Sequence, residues 1–143
     1  MKLEYAIVAD HAEIIHGRLF LMGGGRDVFT AEKAPALLRM ALAVGVRIDW
    51  DETNLGHNIV IVVDDEDGKQ LVRIEAAVNV GRPAGLPPGS SQLAQFASAL
   101  PLRVEAFGGF RVTISAGTGP DAIEHSIPFR VAEARPPRQQ ARS

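Results

Sequence analysis

The glycine run Gly23-Gly24-Gly25, followed by Arg26, is the segment whose composition comes nearest to a phosphate-binding loop. A P-loop ends in Gly-Lys-Ser/Thr and opens a helix, and a dinucleotide-binding fingerprint has the spacing G-x-G-x-x-G. Val28 stands where that fingerprint requires its last glycine. We therefore predict a bulge or strand end that glycine makes possible, and we keep Gly24, Gly25 and Arg26 as a secondary interaction site.

The densest acidic segment, Asp64-Asp65-Glu66-Asp67-Gly68, offers the oxygen ligands that Ca²⁺ prefers. With Gly68 at the sixth position of an EF-hand loop, Val63 and Ile74 occupy the first and twelfth positions, which require carboxylates. The EF-hand register therefore fails. A solvated hairpin turn is favoured, because Asp-Gly supplies the positive φ of tight turns, and a weak cation site of another geometry stays open.

The remaining chemistry-bearing residues lack a catalytic or metal-binding spacing. There is no H-E-x-x-H motif, although His11 and His16 could converge across a hairpin. The segment around Ser90 and Ser91 cannot form G-x-S-x-G, and the absence of cysteine excludes a thiolate nucleophile or zinc ligand. The other histidines are His57 and His125. We expect no catalytic residue, no metal site and no cofactor, and hence no enzyme.

Residues 81–91 form the segment that stands out most, with prolines and glycines at more than half of its positions. Restricted φ angles give such a loop its shape without strand pairing, and long ordered loops are often binding elements. We predict an interaction loop whose contact residues are Arg82, Pro83, Leu86, Pro87 and Pro88. The alternative is that the loop only carries the chain from one sheet to the other, with Leu86 filling the edge between them.

Composition restricts the class of protein. The chain has 143 residues, 15 basic and 17 acidic side chains, and a hydrophobic share of 46%. This is one domain's length, with enough apolar residues for a core and no basic excess for nucleic acid or an anionic membrane. The N-terminal apolar stretch is too short for a signal peptide, and no segment has the apolar length of a membrane span. We expect a cytoplasmic protein that binds neither nucleic acid nor membrane.

Apolar and polar residues alternate with period 2 along much of the chain, as in strands with one buried face. The segments with this alternation are 42–50, 72–80, 102–106, 110–116 and 127–131. A helix would scatter the same apolar residues around its surface. The pattern predicts an all-β protein.

Other segments are less regular. Residues 3–9 and 14–22 predict two strands joined by a hairpin near His16-Gly17-Arg18. Residues 59–63 are apolar on both faces, which indicates a central strand covered on both sides, and 59–64 should pair antiparallel with 70–80 around Asp65–Lys69. For residues 92–100 the spacing leaves a helix, a bent strand and an irregular segment open.

About eight strands punctuated by glycine and proline predict a two-sheet antiparallel β-sandwich, Ig-like or jelly-roll-like. We expect a single domain over residues 1–134 and a flexible, Arg- and Pro-containing tail over 135–143 that contributes little to stability. The predicted core residues are Trp50, Ile61, Ile74, Val104, Phe110, Ile114 and Phe129.

With these features the chain resembles an uncharacterised bacterial, largely actinobacterial, family of short β-sandwich proteins known only as a domain of unknown function. The matching pieces span roughly residues 4–131: Tyr5-Ala6, Gly17-Arg18-Leu19-Phe20 leading into the glycine run, Asp67-Gly68, the Gly81–Ser90 loop and Gly109-Phe110. Several members of that family carry an aromatic residue after the glycine run, where this chain has Arg26. The resemblance implies a fold and transfers no catalytic residue.

The function expected from the sequence is that of a non-enzymatic protein-interaction or assembly module, acting on a protein partner or on itself as a homo-oligomer. Sheet edges and the loop around Arg82 and Leu86 would provide the contacts. Replacing Arg82 and Leu86 together by alanine should weaken the interaction without unfolding the domain. The alternatives are a small-molecule or carbohydrate-binding β-sandwich and a phage- or secretion-type structural subunit. Scarcity of aromatic residues, 6% of the chain, weighs against sugar recognition.

Overall fold

The computed structural model describes residues 1–135, which consist almost entirely of β-strands. In chain order the strands are β1 (Lys2–Ala9), β2 (His11–Ile15), β3 (Arg18–Met22), β4 (Val28–Ala31), β5 (Ala36–Ile48), β6 (His57–Asp65), β7 (Gln70–Val78), β8 (Gln92–Val104), β9 (Gly108–Ala116) and β10 (Ile123–Glu133). A 3₁₀ turn, Trp50–Glu52, follows β5. No helix within residues 1–135 has the length and apolar character needed to cross a membrane.

The strands form a three-stranded sheet in the order β1-β5-β8, a five-stranded sheet in the order β4-β10-β9-β6-β7, and a separate β2-β3 hairpin. Neighbouring strands run antiparallel, except that β4 lies parallel to β10. Buried side chains of the two larger sheets join in one hydrophobic cluster, so the sheets face each other across a shared core. This confirms the predicted all-β sandwich, with ten strands where the sequence predicts about eight.

Period-2 alternation decides which side of each strand faces the core. On β9, Val112 and Ile114 are buried, whereas Arg111 and Thr113 point away from the core. The predicted core residues that the structure buries are Ile61, Val104, Phe110, Ile114 and Phe129. The alternation therefore predicts the inward face of the central strands correctly.

Two predicted core residues are only half-buried, and the prediction is wrong for both. Trp50 lies in the 3₁₀ turn beyond the end of β5, where the Arg82 guanidinium covers its ring at 4.0 Å from the ring centre. Ile74 faces the core from β7, but β7 is the edge strand of its sheet and leaves one side of the residue open.

Strand β5 is buried on both faces. Leu42 and Val44 point into the core, and Ala41, Ala43 and Gly45 on the opposite face are also buried, although alternation predicts them to be exposed. The reason is the β2–β3 hairpin, because β2 packs over β5 and β8. The half-buried residues that the hairpin turns toward the sheet are Ala12, Ile14, Leu19 and Leu21. Small residues on β5 let this third layer approach closely.

Tyr5 fastens the hairpin to the three-stranded sheet. Its ring lies directly on Gly45, where an added Cβ would come within 2.2 Å of Tyr5 Cε1. The Tyr5 hydroxyl donates to Gln95 Oε1 at 2.5 Å, and Gln95 Nε2 donates to the Gly17 carbonyl at 2.8 Å. The pKa of Tyr5 is raised, chiefly because burial disfavours the phenolate and further because Glu4 is nearby. The hairpin turn is thereby tied to β8.

The first hairpin does not join the two strands that the sequence predicts. His16 and Gly17 do form a turn, with φ angles of 49° and 73°, but this turn joins β2 to β3. Residues 3–9 belong to β1, which pairs with β5 instead. The chain changes direction at Asp10, between β1 and β2.

Residues 92–100 belong to the long strand β8, which settles the ambiguity of that segment in favour of a strand. Residues 59–63 lie on β6 between β9 and β7, as expected of a central strand. Their outer residues Val60 and Val62 are only half-buried, because no layer within residues 1–135 covers the outer face of the five-stranded sheet. The expectation that both faces of this strand are covered is therefore wrong.

Strands β6 and β7 pair antiparallel around the turn at 65–69, as the sequence predicts. The predicted domain over residues 1–134 lies within the described part of the chain. Of the predicted tail over 135–143, all but Arg135 lies outside the described residues.

Candidate functional site

The loop between β7 and β8, residues 79–91, connects the edge strand of the five-stranded sheet to an edge strand of the three-stranded sheet. Residues 83–86 and 87–90 each form a turn closed by a backbone hydrogen bond of 3.1 Å. The third residue of each turn, Gly85 or Gly89, has a positive φ, which is the type II geometry that favours glycine. The loop crosses between the sheets, as the alternative interpretation of this segment requires.

The Arg82 side chain is exposed, but it is held against the 3₁₀ turn. Its guanidinium covers the Trp50 ring, its Nε donates to Thr53 Oγ1 at 2.8 Å, and its Nη2 donates to the Trp50 carbonyl at 2.9 Å. Arg82 therefore positions the loop. Of the other predicted contact residues, Leu86 is half-buried and those that remain exposed are Pro83, Pro87 and Pro88.

The glycine run is packed by side chains. An added Cβ at Gly23 would lie 2.1 Å from Asp10 Oδ2, and one at Gly24 would lie 2.2 Å from Leu21 Cδ2. The Arg26 Nη1 donates to Asp10 Oδ1 at 2.5 Å. The run is a crowded connection after β3, the kind of position for which glycine is needed, and Arg26 is engaged within the fold.

The acidic turn uses two of its carboxylates internally. Asp65 Oδ1 accepts hydrogen bonds from the amides of Asp67 and Lys69, both at 2.9 Å. Glu66 Oε1 accepts one from the Gly109 amide at 2.5 Å, and an added Cβ at Gly109 would come within 2.9 Å of that oxygen. The turn is thereby fixed to the start of β9.

An open basin of about 560 Å³ lies where this turn meets the start of β9, the C-terminal part of β10 and the residues at the start of β4. Its ionisable lining residues are Asp27, Asp64, Asp65, Glu66, Arg111 and Arg130, and its apolar lining residues are Val28, Phe110, Pro128 and Phe129. We refer to this depression as the basin. It lies at one end of the five-stranded sheet.

Four of the basin's charged groups are not engaged with one another. Asp64 on β6 stands opposite Arg111 on β9, and Arg130 on β10 is the diagonal neighbour of Arg111. Within residues 1–135, neither guanidinium has a carboxylate oxygen within 4.0 Å, and the carboxylates of Asp64 and Asp27 accept no hydrogen bond. The basin therefore offers two cationic donors and two anionic acceptors to a ligand.

The outer face of the β2–β3 hairpin is a second surface, which we call the hairpin face. It consists of His11, Glu13, Ile15, Arg18, Phe20 and Met22. Met22 is 68% exposed, Phe20 50% and Ile15 43%. Three large apolar side chains are thus exposed together on one side of a hairpin whose other side is packed on the sheet.

Within residues 1–135, one group of three carboxylates has its ligand atoms close enough together to hold a metal ion. The three residues are Asp49, Asp51 and Glu52, and their ligand atoms lie within 4.8 Å of one another. Glu52 is already engaged, because it pairs with the Met1 ammonium and accepts a hydrogen bond from the Asp49 amide. Burial acts to raise the pKa of Glu52, but these hydrogen bonds and the charges of Met1 and His57 lower it overall. Asp49 and Glu52 form the capping box of the 3₁₀ turn.

The histidines do not come together. His11 lies 3.0 Å from Glu13 on the hairpin face, His16 is in the hairpin turn, and His57 Nε2 lies 2.8 Å from the Glu52 carbonyl oxygen. His125 is exposed on β10. The convergence of His11 and His16 that the sequence leaves open does not occur, because His11 lies at the open end of the hairpin, opposite Met22, and His16 lies in the turn at its other end.

Neither the basin nor the hairpin face is apparent from the sequence. Arg111 is recognisable as an outward residue of β9, but its proximity to Asp64 and Arg130 depends on strand order and register, which alternation alone does not provide. Phe20 and Met22 alternate with Leu19 and Leu21, and this pattern could have indicated a strand with two apolar faces.

The sequence profile of DUF6941, described as a family of unknown function, matches residues 4–132. No curated protein matches the sequence. Among solved structures, the C-terminal domain of wzt is similar at 14% identity and a TM-score of 0.46, over 94% of this chain and 74% of that one. The CARDB domain of a Pyrococcus furiosus protein in complex with di-metal ions is similar at 10% identity and a TM-score of 0.40, over 94% of this chain and 98% of that one. At these scores neither likeness bears on function.

Proposed function

The chain belongs to DUF6941, a family of unknown function, and we propose that it is a non-enzymatic protein-binding module that pairs with a second copy of itself through the hairpin face. The observation that carries the proposal is the joint exposure of Ile15, Phe20 and Met22 on that face. Contiguous exposed apolar patches on small proteins often mark interaction sites.

The hairpin face is suited to binding because the layer beneath it is already fixed. The inward residues of the hairpin pack on β5 and β8, and Gln95 holds the turn through the Gly17 carbonyl. Little backbone freedom remains to be lost when a partner covers the outer side, which lowers the entropic cost of association.

Charge on the hairpin face favours a second copy as the partner. Glu13 stands opposite Phe20, and Arg18 stands opposite Ile15, so one acid and one base flank the apolar residues. Arg18 has no carboxylate oxygen within 4.0 Å among residues 1–135. A face with both signs of charge around an apolar centre is self-complementary, as a two-fold symmetric interface requires.

The non-enzymatic assignment rests on the sequence, in which each usual catalytic motif fails in register or residue type. The loop around Arg82 and Leu86, where the sequence predicts the contacts, is not part of the proposed interface. Because the Arg82 guanidinium binds the 3₁₀ turn, Arg82→Ala would disturb the loop itself and is a poor probe of binding.

Light scattering coupled to size-exclusion chromatography tests the proposal. We expect a mass of about twice 15.3 kDa for the natural sequence. The double variant Phe20→Ser/Met22→Ser should elute as a folded monomer, because it removes two large apolar groups from the interface and none from the core. The matched control Leu37→Ser/Leu55→Ser removes exposed apolar residues elsewhere and should remain dimeric.

A charge exchange distinguishes a specific dimer from unspecific adhesion. Arg18→Glu should weaken dimerisation through repulsion from Glu13 of the second copy, and adding Glu13→Arg to that variant should restore it. A natural sequence that is monomeric at every concentration, or a Phe20→Ser/Met22→Ser variant that is still dimeric, would contradict the proposal. A monomer that turns over a substrate in a broad hydrolase panel would favour an enzyme instead.

A further inference from the structure

The basin lies on the five-stranded sheet, and its charged groups have no role in the proposed dimer. Two of its carboxylates are used by the fold: Asp65 caps the acidic turn and Glu66 holds the Gly109 amide. Two carboxylates and two guanidiniums remain free of ion pairs among the described residues. A cavity of about 560 Å³ that keeps four such groups available has the size of a small-molecule site.

We propose that the basin binds an uncharged polyhydroxyl ligand of the saccharide class, held by Arg111 and Arg130 at its centre and by Asp27 and Asp64 on its two opposite flanks. A guanidinium only donates hydrogen bonds and an ionised carboxylate only accepts them. A hydroxyl group does both, so neighbouring hydroxyls can accept from an arginine and donate to an aspartate at the same time. The free donors and acceptors of the basin therefore match the hydrogen-bonding groups of such a ligand.

Charged ligands fit the basin less well. Its four carboxylates outnumber its two guanidiniums, so an anion would be repelled, and a simple cation would bring no hydrogen-bond acceptor for Arg111 and Arg130. A divalent metal needs converging oxygen ligands, and the one converging carboxylate group within residues 1–135 is Asp49, Asp51 and Glu52, outside the basin. A zwitterion remains as the competing ligand class.

The geometry of the strands places the arginines within reach of one ligand. Pro128 on β10 is paired with Arg111 on β9, so Arg130, two residues further along β10, is the diagonal neighbour of Arg111. Such neighbours on one face are about 7–8 Å apart, a span that long side chains bridge. Pro128 and Val28 are exposed at the same site and provide apolar contact for the C–H groups of a sugar ring.

The test is a titration monitored by amide chemical shifts in NMR spectra of the full chain. The probes are glucose, galactose, mannose and their neutral tetrasaccharides, with glycine betaine, inorganic phosphate and Ca²⁺ for comparison. We expect at least one neutral saccharide to shift amides of residues 64–66, 109–111, 129 and 130, with a dissociation constant of about 1 mM for so open a site. Betaine, phosphate and Ca²⁺ should leave these amides unchanged.

Asp64→Asn and Arg130→Gln, both polar and of similar size, should each weaken saccharide binding at least about tenfold, since each removes a hydrogen bond to a charged group. Arg73→Gln is the matched control, because Arg73 lies on the outer face of β7 and is ion-paired with Glu75 outside the basin. The spectrum of each variant shows whether it is folded.

The proposal is overturned if no neutral saccharide shifts the basin amides at about 100 mM, far above the expected dissociation constant. It is also overturned if betaine, phosphate or Ca²⁺ binds there more tightly, or if Asp64→Asn and Arg130→Gln bind as well as Arg73→Gln.

Discussion

The two sheets of the sandwich share one core, but their outer faces are built differently. On the three-stranded sheet the central outward residues are Ala41, Ala43 and Gly45, and the β2–β3 hairpin covers them. On the five-stranded sheet the outward residues of β9 include Arg111 and Thr113, and no described layer covers them. Small apolar side chains allow a third layer to pack, whereas long polar ones keep a sheet face in water.

This difference separates the two proposed binding surfaces. The hairpin conceals one sheet and exposes its own apolar side, which we assign to a second copy of the chain. The open sheet keeps unpaired charges at one end, which we assign to a polyhydroxyl ligand. In this proposal one side of the molecule binds through apolar contacts and the other through polar contacts.

The largest effect on stability is expected from a substitution in the core that the two sheets share. Ile114 is 1% exposed in the shared core, and Ile114→Ala should lower the free energy of unfolding by about 2–5 kcal/mol in a denaturant titration. Thr113→Ala, the neighbouring change on the open face, should alter it by no more than about 0.5 kcal/mol. A loss near zero for Ile114→Ala would mean that the assigned core face is wrong.

The covered and open faces should respond differently to the same added side chain. Ala43→Leu inserts bulk between β5 and the hairpin and should cost about 1–3 kcal/mol of unfolding free energy. Ala77→Leu makes the same change on the exposed outer face of β7 and should be nearly neutral. Equal effects of the two substitutions in thermal and denaturant unfolding would contradict a hairpin layer over β5.

A smaller effect on stability is expected from removing the hydrogen bond of Tyr5, which helps to hold the hairpin on the sheet. Tyr5→Phe keeps the ring on Gly45 and removes the hydrogen bond to Gln95, which should cost about 0.5–1.5 kcal/mol. Hydrogen exchange should show faster opening of β2 and β3, with the five-stranded sheet unchanged. Faster exchange spread evenly over both sheets would show that Tyr5 does not act on the hairpin specifically.

The smallest effect on stability is expected at the ion pair between Met1 and Glu52, which joins the start of β1 to the end of β5. The pKa of Glu52 in the folded protein is below its ordinary value of 4.5, so its contribution to stability is present above pH 4.5 and is lost as the pH falls through the lowered pKa. Glu52→Gln should therefore flatten the acid side of a plot of melting temperature against pH. The control Glu105→Gln alters an exposed ion pair and should keep the natural profile. Identical profiles for the two variants would contradict the role given to Glu52.

Much of the fold could be predicted because strand alternation is a local property. The alternation of β9 and the Asp-Gly turn after β6 are visible in the sequence, and so are the inward positions of Phe110, Ile114 and Phe129. Which strands pair is not local. The pairing of β1 with β5 involves residues far apart in the chain, and β2 and β3 pair with each other as a separate hairpin.

The candidate sites could not be predicted for the same reason. Asp64, Arg111 and Arg130 lie on three different strands, and it is the register of β6, β9 and β10 that brings them together. The glycine- and proline-rich loop is recognisable from composition alone, yet its most promising residue, Arg82, is bound to Trp50 and Thr53. Composition identifies an ordered loop without showing which of its side chains are free.

The most direct test of the division between the two faces is an assigned amide spectrum recorded at increasing protein concentration. Association through the hairpin face predicts shifts confined to β2, β3 and the turn at residues 16–17, with the amides lining the basin unchanged. Shifts centred on the 79–91 loop, on the edges of β7 and β8, or on the basin would contradict that account. So would a spectrum that does not change with concentration for a protein that light scattering shows to be monomeric.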